Sequence, residues 1–168
     1  MSETALLLIF PALMAYAAAS DLLTMTIPNR LSLALVAGFA AFAILAGLSM
    51  QAVLLHLGAG AAMLAASFAL FAFGWIGGGD AKLAAATALW LGFGSLVEYL
   101  FVASLAGGAL TLAVLVLRKL PLPAFAVRWD WLARLHEPKT GVPYGIALAA
   151  AALFVYPQTA IWSAVVGS

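Results

Sequence analysis

The sequence contains no cysteine and very few charged residues. Without cysteine, the chain forms no disulfide bonds, has no thiolate nucleophile and builds no cysteine-based zinc site. Only 8% of its residues are charged, whereas soluble domains have roughly 25%. Hydrophobic residues make up 67% of the chain, and the net charge of +1 indicates no nucleic-acid partner. The composition therefore predicts an integral membrane protein.

The apolar segments predict an all-α, polytopic fold with about six transmembrane helices, since each span needs about 20 apolar residues. Breaks rich in charge, proline or glycine place these helices at roughly 4–20, 31–49, 52–75, 81–94, 96–117 and 142–166. The first apolar segment has no basic region before it, so it is interpreted as a retained span rather than a cleaved signal. A short amphipathic helix, anchored by Trp129 and Trp131, is expected in the polar connection 118–141.

All seven basic residues lie on one face of this six-helix arrangement. The three connections on that face are 21–30, 76–82 and 118–141. They contain Arg30, Lys82, Arg118, Lys119, Arg128, Arg134 and Lys139. Because positive charge accumulates on the cytoplasmic side of membrane proteins, this face is predicted to be cytoplasmic and both termini to lie outside.

Two aspartates, Asp21 and Asp80, are predicted at this cytoplasmic side, at the edges of apolar segments. Ionisable residues in such positions are costly and usually functional. Asp21 ends the first predicted helix, where the helix dipole disfavours an anion, whereas Asp80 precedes the fourth, where the dipole favours one. This difference could give one protonated acid and one ionised base, as peptide hydrolysis requires. The alternatives are a small transporter or a proton or cation channel that uses both aspartates, and a non-catalytic component of a secretion machine.

The residues beside the two aspartates suggest supporting roles. In Gly77-Gly78-Gly79-Asp80, the glycines are expected to allow unusual φ and ψ angles and close approach of an extended substrate backbone. Pro28 should prevent the first helix from continuing, and Asn29 is expected to cap the second helix through its side-chain oxygen.

Three other polar residues receive simpler interpretations. Lys82 is interpreted mainly as an interfacial cation that reaches lipid headgroups, with tuning of the aspartates or substrate binding as the less favoured role. His56 is interpreted as a hydrogen-bonded packing residue rather than a metal ligand. Glu98 is expected to be solvated near the outer face.

Three motifs in order resemble the type IV prepilin peptidase family of Gly-x-Gly-Asp membrane aspartyl proteases. They are Gly77-Gly78-Gly79-Asp80, Asp21 followed by Ile27-Pro28-Asn29, and Pro143-Tyr144-Gly145. The length, the helix count and the absence of cysteine resemble the short Flp-type members of the tight-adherence pilus systems. The resemblance implies that Asp21 and Asp80 are catalytic. It also implies that the site is supported by Gly77, Gly78, Gly79, Lys82, Pro28, Asn29, Pro143, Tyr144 and Gly145.

The same resemblance implies a biological setting. The protein would cleave the basic leader of prepilin-like substrates at the cytoplasmic face of a bacterial inner membrane, without metal or cofactor. Its partners would be prepilin or pseudopilin precursors, membrane lipid and the pilus assembly machinery. Residues 1–168 would form one membrane-embedded peptidase domain. No separate methyltransferase domain is expected, because only ten residues separate the first two predicted helices.

Overall fold

A computed structural model describes residues 7–123 and 128–166 of the chain. Residues 4–6 of the first predicted helix therefore lie outside the described residues. The helices are α1 (Ile9–Thr24), α2 (Asn29–Leu45), α3 (Met50–Ala72), α4 (Gly78–Lys119), α5 (Asp130–His136), α6 (Tyr144–Val155) and α7 (Ala160–Val166). Within the described ranges there is no β-strand. The predicted all-α class is confirmed, and so is the short helix within the polar connection.

Two of these helices, α3 and α4, are long and apolar enough to cross a membrane. A third span results if α6 and α7, which are bent by 48° at a short break, are counted as one. The helices α1 and α2 are apolar but only 16 and 17 residues long. The fold is that of a membrane protein, and the number of about six spans stays a prediction.

The fourth and fifth predicted helices form the single helical segment α4, which is interrupted at Gly92. This glycine has φ 70° and ψ 175°, a backbone conformation that residues with a Cβ rarely adopt. The Tyr99 hydroxyl faces Thr87 across the break, although residues twelve apart in a straight helix are separated by about 18 Å. The two halves, α4a (residues 78–91) and α4b (residues 93–119), therefore pack against each other. The predicted break between the helices 81–94 and 96–117 is wrong by a few residues, because the chain turns at Gly92.

His56 on α3 fits against this break. Its Nδ1 lies 2.8 Å from the Leu89 carbonyl oxygen, and a Cβ on Gly92 would lie 3.0 Å from its Cε1. The imidazole also packs on Phe39, with ring centroids 5.3 Å apart. The interpretation of His56 as a buried, hydrogen-bonded packing residue is confirmed. Glu98 is exposed, as expected.

The last predicted helix, 142–166, is broken rather than continuous. The helix α6 ends at Val155 and is followed by a 3₁₀ turn over Tyr156–Gln158. Pro157 lies in this turn and has no backbone N–H to continue an α-helix. Thr159 stabilises the bend, because its hydroxyl donates to the Tyr156 carbonyl at 2.7 Å.

Trp90 in α4a is the centre of the core. Its ring packs against Phe10, Phe42 and Tyr156, with centroids 5.2, 5.8 and 6.4 Å apart. Its indole N–H donates to the Leu35 carbonyl at 2.9 Å, so the polar edge of this buried ring is satisfied. These contacts hold α1, α2, α4a and the 3₁₀ turn after α6 together at a level about 15 Å along α4a from Asp80.

Candidate active site

The two aspartates lie in helix ends that meet at one end of the bundle. Asp21 lies in the last turn of α1 and Asp80 in the first turn of α4, so both belong to helices rather than to the breaks predicted beside them. They are close enough for the charge of Asp21 to act on Asp80. Asp21 is only 5% exposed, whereas Asp80 is half-buried. The structure thus brings the two predicted catalytic residues together and leaves Asp80 more accessible.

Asp21 accepts a hydrogen bond from the first turn of another helix. The Gly145 backbone N–H donates to Asp21 Oδ2 at 2.7 Å. Pro143 is the N-cap residue of α6, so this N–H is one of the free donors at a helix N-terminus, which attract anions. The unfavourable dipole of α1 is therefore opposed by that of α6, an arrangement that the separate sequence motifs did not predict.

Tyr144 holds the start of α6 against α4b. Its hydroxyl lies 3.0 Å from Thr111 Oγ1. A Cβ on Gly107 would lie only 2.9 Å from the Tyr144 ring, so a glycine is needed where this ring packs. The Pro143-Tyr144-Gly145 motif thus places one amide donor on Asp21 and fixes the helix that carries it.

Asp80 bonds to the residue that precedes its own helix. Its carboxylate accepts a hydrogen bond from the Gly77 backbone N–H, and Gly77 is the N-cap of α4. A side chain at the third helical position that reaches back to the N-cap N–H is half of a capping box. Asp80 therefore stabilises the start of α4 as well as facing Asp21.

The three glycines before Asp80 are needed for space rather than for unusual backbone angles. None of Gly77, Gly78 and Gly79 has a left-handed φ, so that part of the expectation is wrong. A Cβ on Gly77 would lie 2.9 Å from Asp80 Oδ2, and one on Gly79 would lie 3.2 Å from Ile27 Cβ. At Gly78 the neighbour is the Phe71 ring, at 3.3 Å. The run lets α4 start close to Ile27, Phe71 and its own aspartate.

Ile27 connects the surroundings of the two aspartates, although no separate role was predicted for it. Besides its contact with Gly79, its Cδ1 would lie 2.8 Å from a Cβ on Gly145. Ile27 therefore lies between the glycine next to Asp80 and the glycine that bonds Asp21. The sequence feature that could have identified Ile27 is its position directly before Pro28, because Pro28 fixes the direction of the chain there.

Asn29 does not cap α2 through its side chain, contrary to the prediction. Pro28 is the N-cap residue, with extended angles of φ −68° and ψ 139°, and Asn29 begins the helix. The Asn29 side-chain oxygen instead accepts a hydrogen bond from Lys82 Nζ at 2.8 Å. Both side chains are exposed. Lys82, which follows Asp80 by two residues, thus binds the neutral side-chain amide of Asn29.

Two arginines fasten the polar connection over this end of the bundle. Arg134 of α5 donates to the Leu23 carbonyl at the end of α1. Arg118 at the end of α4 donates to the Leu135, Thr140 and Gly141 carbonyls, each at 2.9 Å. These contacts were not predicted, since neither arginine stands out from the other basic residues of the sequence. Trp129 and Trp131 stack with centroids 6.3 Å apart.

The arrangement provides two carboxyl groups, each with a backbone N–H donor, and is suited to acid–base chemistry. Within the part of the chain that the structure describes, no group of three or more histidine, aspartate and glutamate residues could hold a metal ion. The predictions that the protein uses no metal and no cofactor stay predictions.

The fold and the site define an all-α membrane protein with paired carboxylates at the ends of its helices. The chain matches the model of the type IV leader peptidase family over residues 8–112 and belongs to that family. It is therefore a membrane protease of the leader-peptidase kind, and the predicted family is confirmed. The matched segment contains Asp21, Asp80 and the glycine run but ends before α5 and Pro143-Tyr144-Gly145. No curated protein and no solved structure matches the chain.

Proposed function

We propose that the protein is an intramembrane aspartyl endopeptidase that removes the basic leader from Flp-type prepilin-like substrates. Cleavage would take place at the cytoplasmic face of a bacterial inner membrane. The observation that carries this proposal is the meeting of Asp21 and Asp80, from separate helices, with a backbone amide donor on each carboxylate. A purely structural role for Asp80 as a helix cap would not require a second buried carboxylate beside it.

The proposed reaction uses one ionised and one protonated carboxyl group. The ionised group takes a proton from a water molecule, whose oxygen attacks the scissile carbonyl carbon. The protonated group donates its proton to the carbonyl oxygen. When the tetrahedral intermediate collapses, the C–N bond breaks and the leaving amine takes the proton that the first carboxyl group gained from water. A hydroxyl proton of the intermediate passes to the second carboxylate, which restores the pair to one ionised and one protonated group. Asp80 is the better placed to contact water because it is the more exposed, but the titration belongs to both residues.

The proposed partners follow from the same activity. Prepilin or pseudopilin precursors would be the substrates, the pilus assembly machinery would receive the product, and membrane lipid would surround the apolar helices. We also propose that residues 1–168 form one peptidase domain without a methyltransferase domain. In support, only residues 25–28 separate α1 from α2, which leaves no room for a domain between them.

The direct test is cleavage of a precursor by the purified protein in lipid vesicles. We expect a single cut between the basic leader and the apolar segment, and a product with an unmethylated N-terminus even when a methyl donor is supplied. Mass spectrometry of the product measures both the cleavage position and the methylation of the N-terminus, with protein-free vesicles as the control. A precursor that stays intact in vesicles containing the folded protein would contradict the proposed activity. A methylated product would contradict only the proposed lack of methyltransferase.

The proposed topology gives a second prediction. Because the chain has no cysteine, single cysteines can be introduced directly at Thr24, Gln51 and Lys139, which are all exposed. In intact cells a membrane-impermeant thiol reagent should label the cysteine at position 51 and spare those at positions 24 and 139. All three should react after permeabilisation. The reverse pattern would place the aspartates on the opposite side of the membrane.

A further inference from the structure

An apolar groove of about 550 Å³ runs along the bundle beside the candidate active site. Its sides are α2 and α3, and its floor is α4a. Both side helices pack against α4, but few contacts join them to each other. The volume is within the usual range of ligand sites, roughly 300–1,000 Å³. The groove is thus a gap between helices that share a floor.

The lining residues have the same helical spacing on all three sides. The floor consists of Lys82, Ala85, Ala86 and Leu89, at positions i, i+3, i+4 and i+7. Four residues of α2, starting at Asn29, and four residues of α3, starting at Leu57, repeat this spacing. Such a pattern selects one face of a helix over about 10 Å. Three helices that turn matching faces toward one gap leave the position of a further helix vacant.

The residues in the middle of the groove are small. They are Gly60, Ala61, Ala85 and Ala86, and small residues let helix backbones approach closely in lipid. Gly60 already packs closely on the floor, since a Cβ there would lie 3.2 Å from Leu89 Cβ. A lipid chain does not require such a surface, so these residues favour a helix as the occupant.

The groove is continuous with the candidate site at its polar end. Among the described residues that line it, the one charged side chain is that of Lys82, which binds Asn29 across the mouth. Lys82 follows Asp80 by two residues, and Asn29 follows Ile27, which packs on Gly79, by two residues. A helix seated in the groove would therefore bring the chain before its first turn to the two aspartates.

We propose that this groove binds the apolar helix that follows the cleavage site of the membrane-anchored substrate. This proposal rests on the proposed peptidase activity and specifies how the same site receives its substrate. The helix of the precursor fills the vacant position between α2 and α3, and the leader junction extends past the Lys82–Asn29 pair toward Asp21 and Asp80. Recognition is then a matter of helix packing more than of side-chain charge.

A bulky side chain in the groove should harm anchored substrates selectively. Ala61 lines the groove and is exposed, whereas its neighbour Ala62 is exposed but does not line it. We expect Ala61→Trp to raise KM at least about tenfold for a precursor with its apolar helix. A soluble peptide with the same junction but no helix should be cleaved as by wild type. Ala62→Trp is the matched control and should leave both activities unchanged. Equal effects of Ala61→Trp on the two substrates would overturn the proposal and favour a lipid occupant.

Disulfide cross-linking tests the same groove without cleavage. In an Asp80→Asn background, Ala61→Cys should form a disulfide with single cysteines at only one or two positions of the substrate helix, three or four residues apart on the same face, and Ala62→Cys should not. Adducts in this experiment would support the groove even if wild-type protein cleaved nothing, so the two proposals can fail separately. Absence of adducts, or disulfides between two copies of the protein at position 61 without substrate, would overturn the proposal.

Discussion

Asparagine in place of either Asp21 or Asp80 is expected to reduce cleavage of a prepilin-like precursor by at least about 100-fold. Asparagine has almost the same size, and its side-chain oxygen can still accept the Gly145 N–H at position 21 or the Gly77 N–H at position 80. The substitution therefore keeps the packing and the helix cap but removes the group that exchanges a proton. Both variants should accumulate in the membrane at wild-type levels, and the cleavage rate should be measured at equal amounts of protein.

Asp130→Asn is the matched control for this experiment. Asp130 lies in the first turn of its helix, as Asp80 does, but it is exposed and belongs to the surface helix α5. We expect its cleavage rate to stay within about twofold of wild type, as for most exposed positions away from a site. If Asp80 served only to bond the N-cap of α4, Asp80→Asn would retain activity because the asparagine oxygen can still accept the Gly77 N–H. Residual cleavage above about a tenth of wild type in either site variant would argue strongly against an acid–base pair.

Much of the candidate site could be predicted because its main residues lie at the ends of apolar segments. Asp21 and Asp80 are conspicuous in a chain with six acidic residues, and the break beside each predicted that they lie at the same end of the bundle, as they do in the structure. The packing role of His56 could also be predicted, because an isolated histidine in an apolar helix needs a hydrogen-bond partner. What the local sequence could not provide was the partner itself, the Leu89 carbonyl beside the break at Gly92.

The errors share a physical cause, which is that tertiary contacts decide between local options. Gly92 and Gly94 could both have ended the helix, and the His56 ring packs at Gly92. Asn29 has a good capping side chain, but Pro28 is the N-cap and Lys82 binds the Asn29 oxygen. The apolar run 142–166 concealed the bend at Pro157, since the hydrophobicity does not change there. The N–H of Gly145 reaches Asp21 only in the folded chain.

Gly145→Ala is expected to have the second-largest effect on activity, with kcat reduced by at least about tenfold. A Cβ at this position would lie 2.8 Å from Asp21 Oδ2 and 2.8 Å from Ile27 Cδ1. Neither atom is free to move without consequence, because the first accepts the Gly145 N–H and the second packs between the surroundings of both aspartates. The aspartate must shift away from its donor, so the loss should be in kcat more than in KM. Gly145→Val should reduce kcat further.

Gly141→Ala is the control, since a Cβ at Gly141 would meet no atom within 4 Å and this glycine precedes the same helix. Its kcat should stay within about twofold of wild type. Combining Ile27→Ala with Gly145→Ala separates the two close contacts. The smaller residue makes room on one side of the new methyl group but leaves Asp21 displaced, so the double variant should remain as slow as Gly145→Ala. Recovery of activity in the double variant would show that the methyl group acts through Ile27, and that the bond from Gly145 to Asp21 is not what organises the catalytic carboxylates.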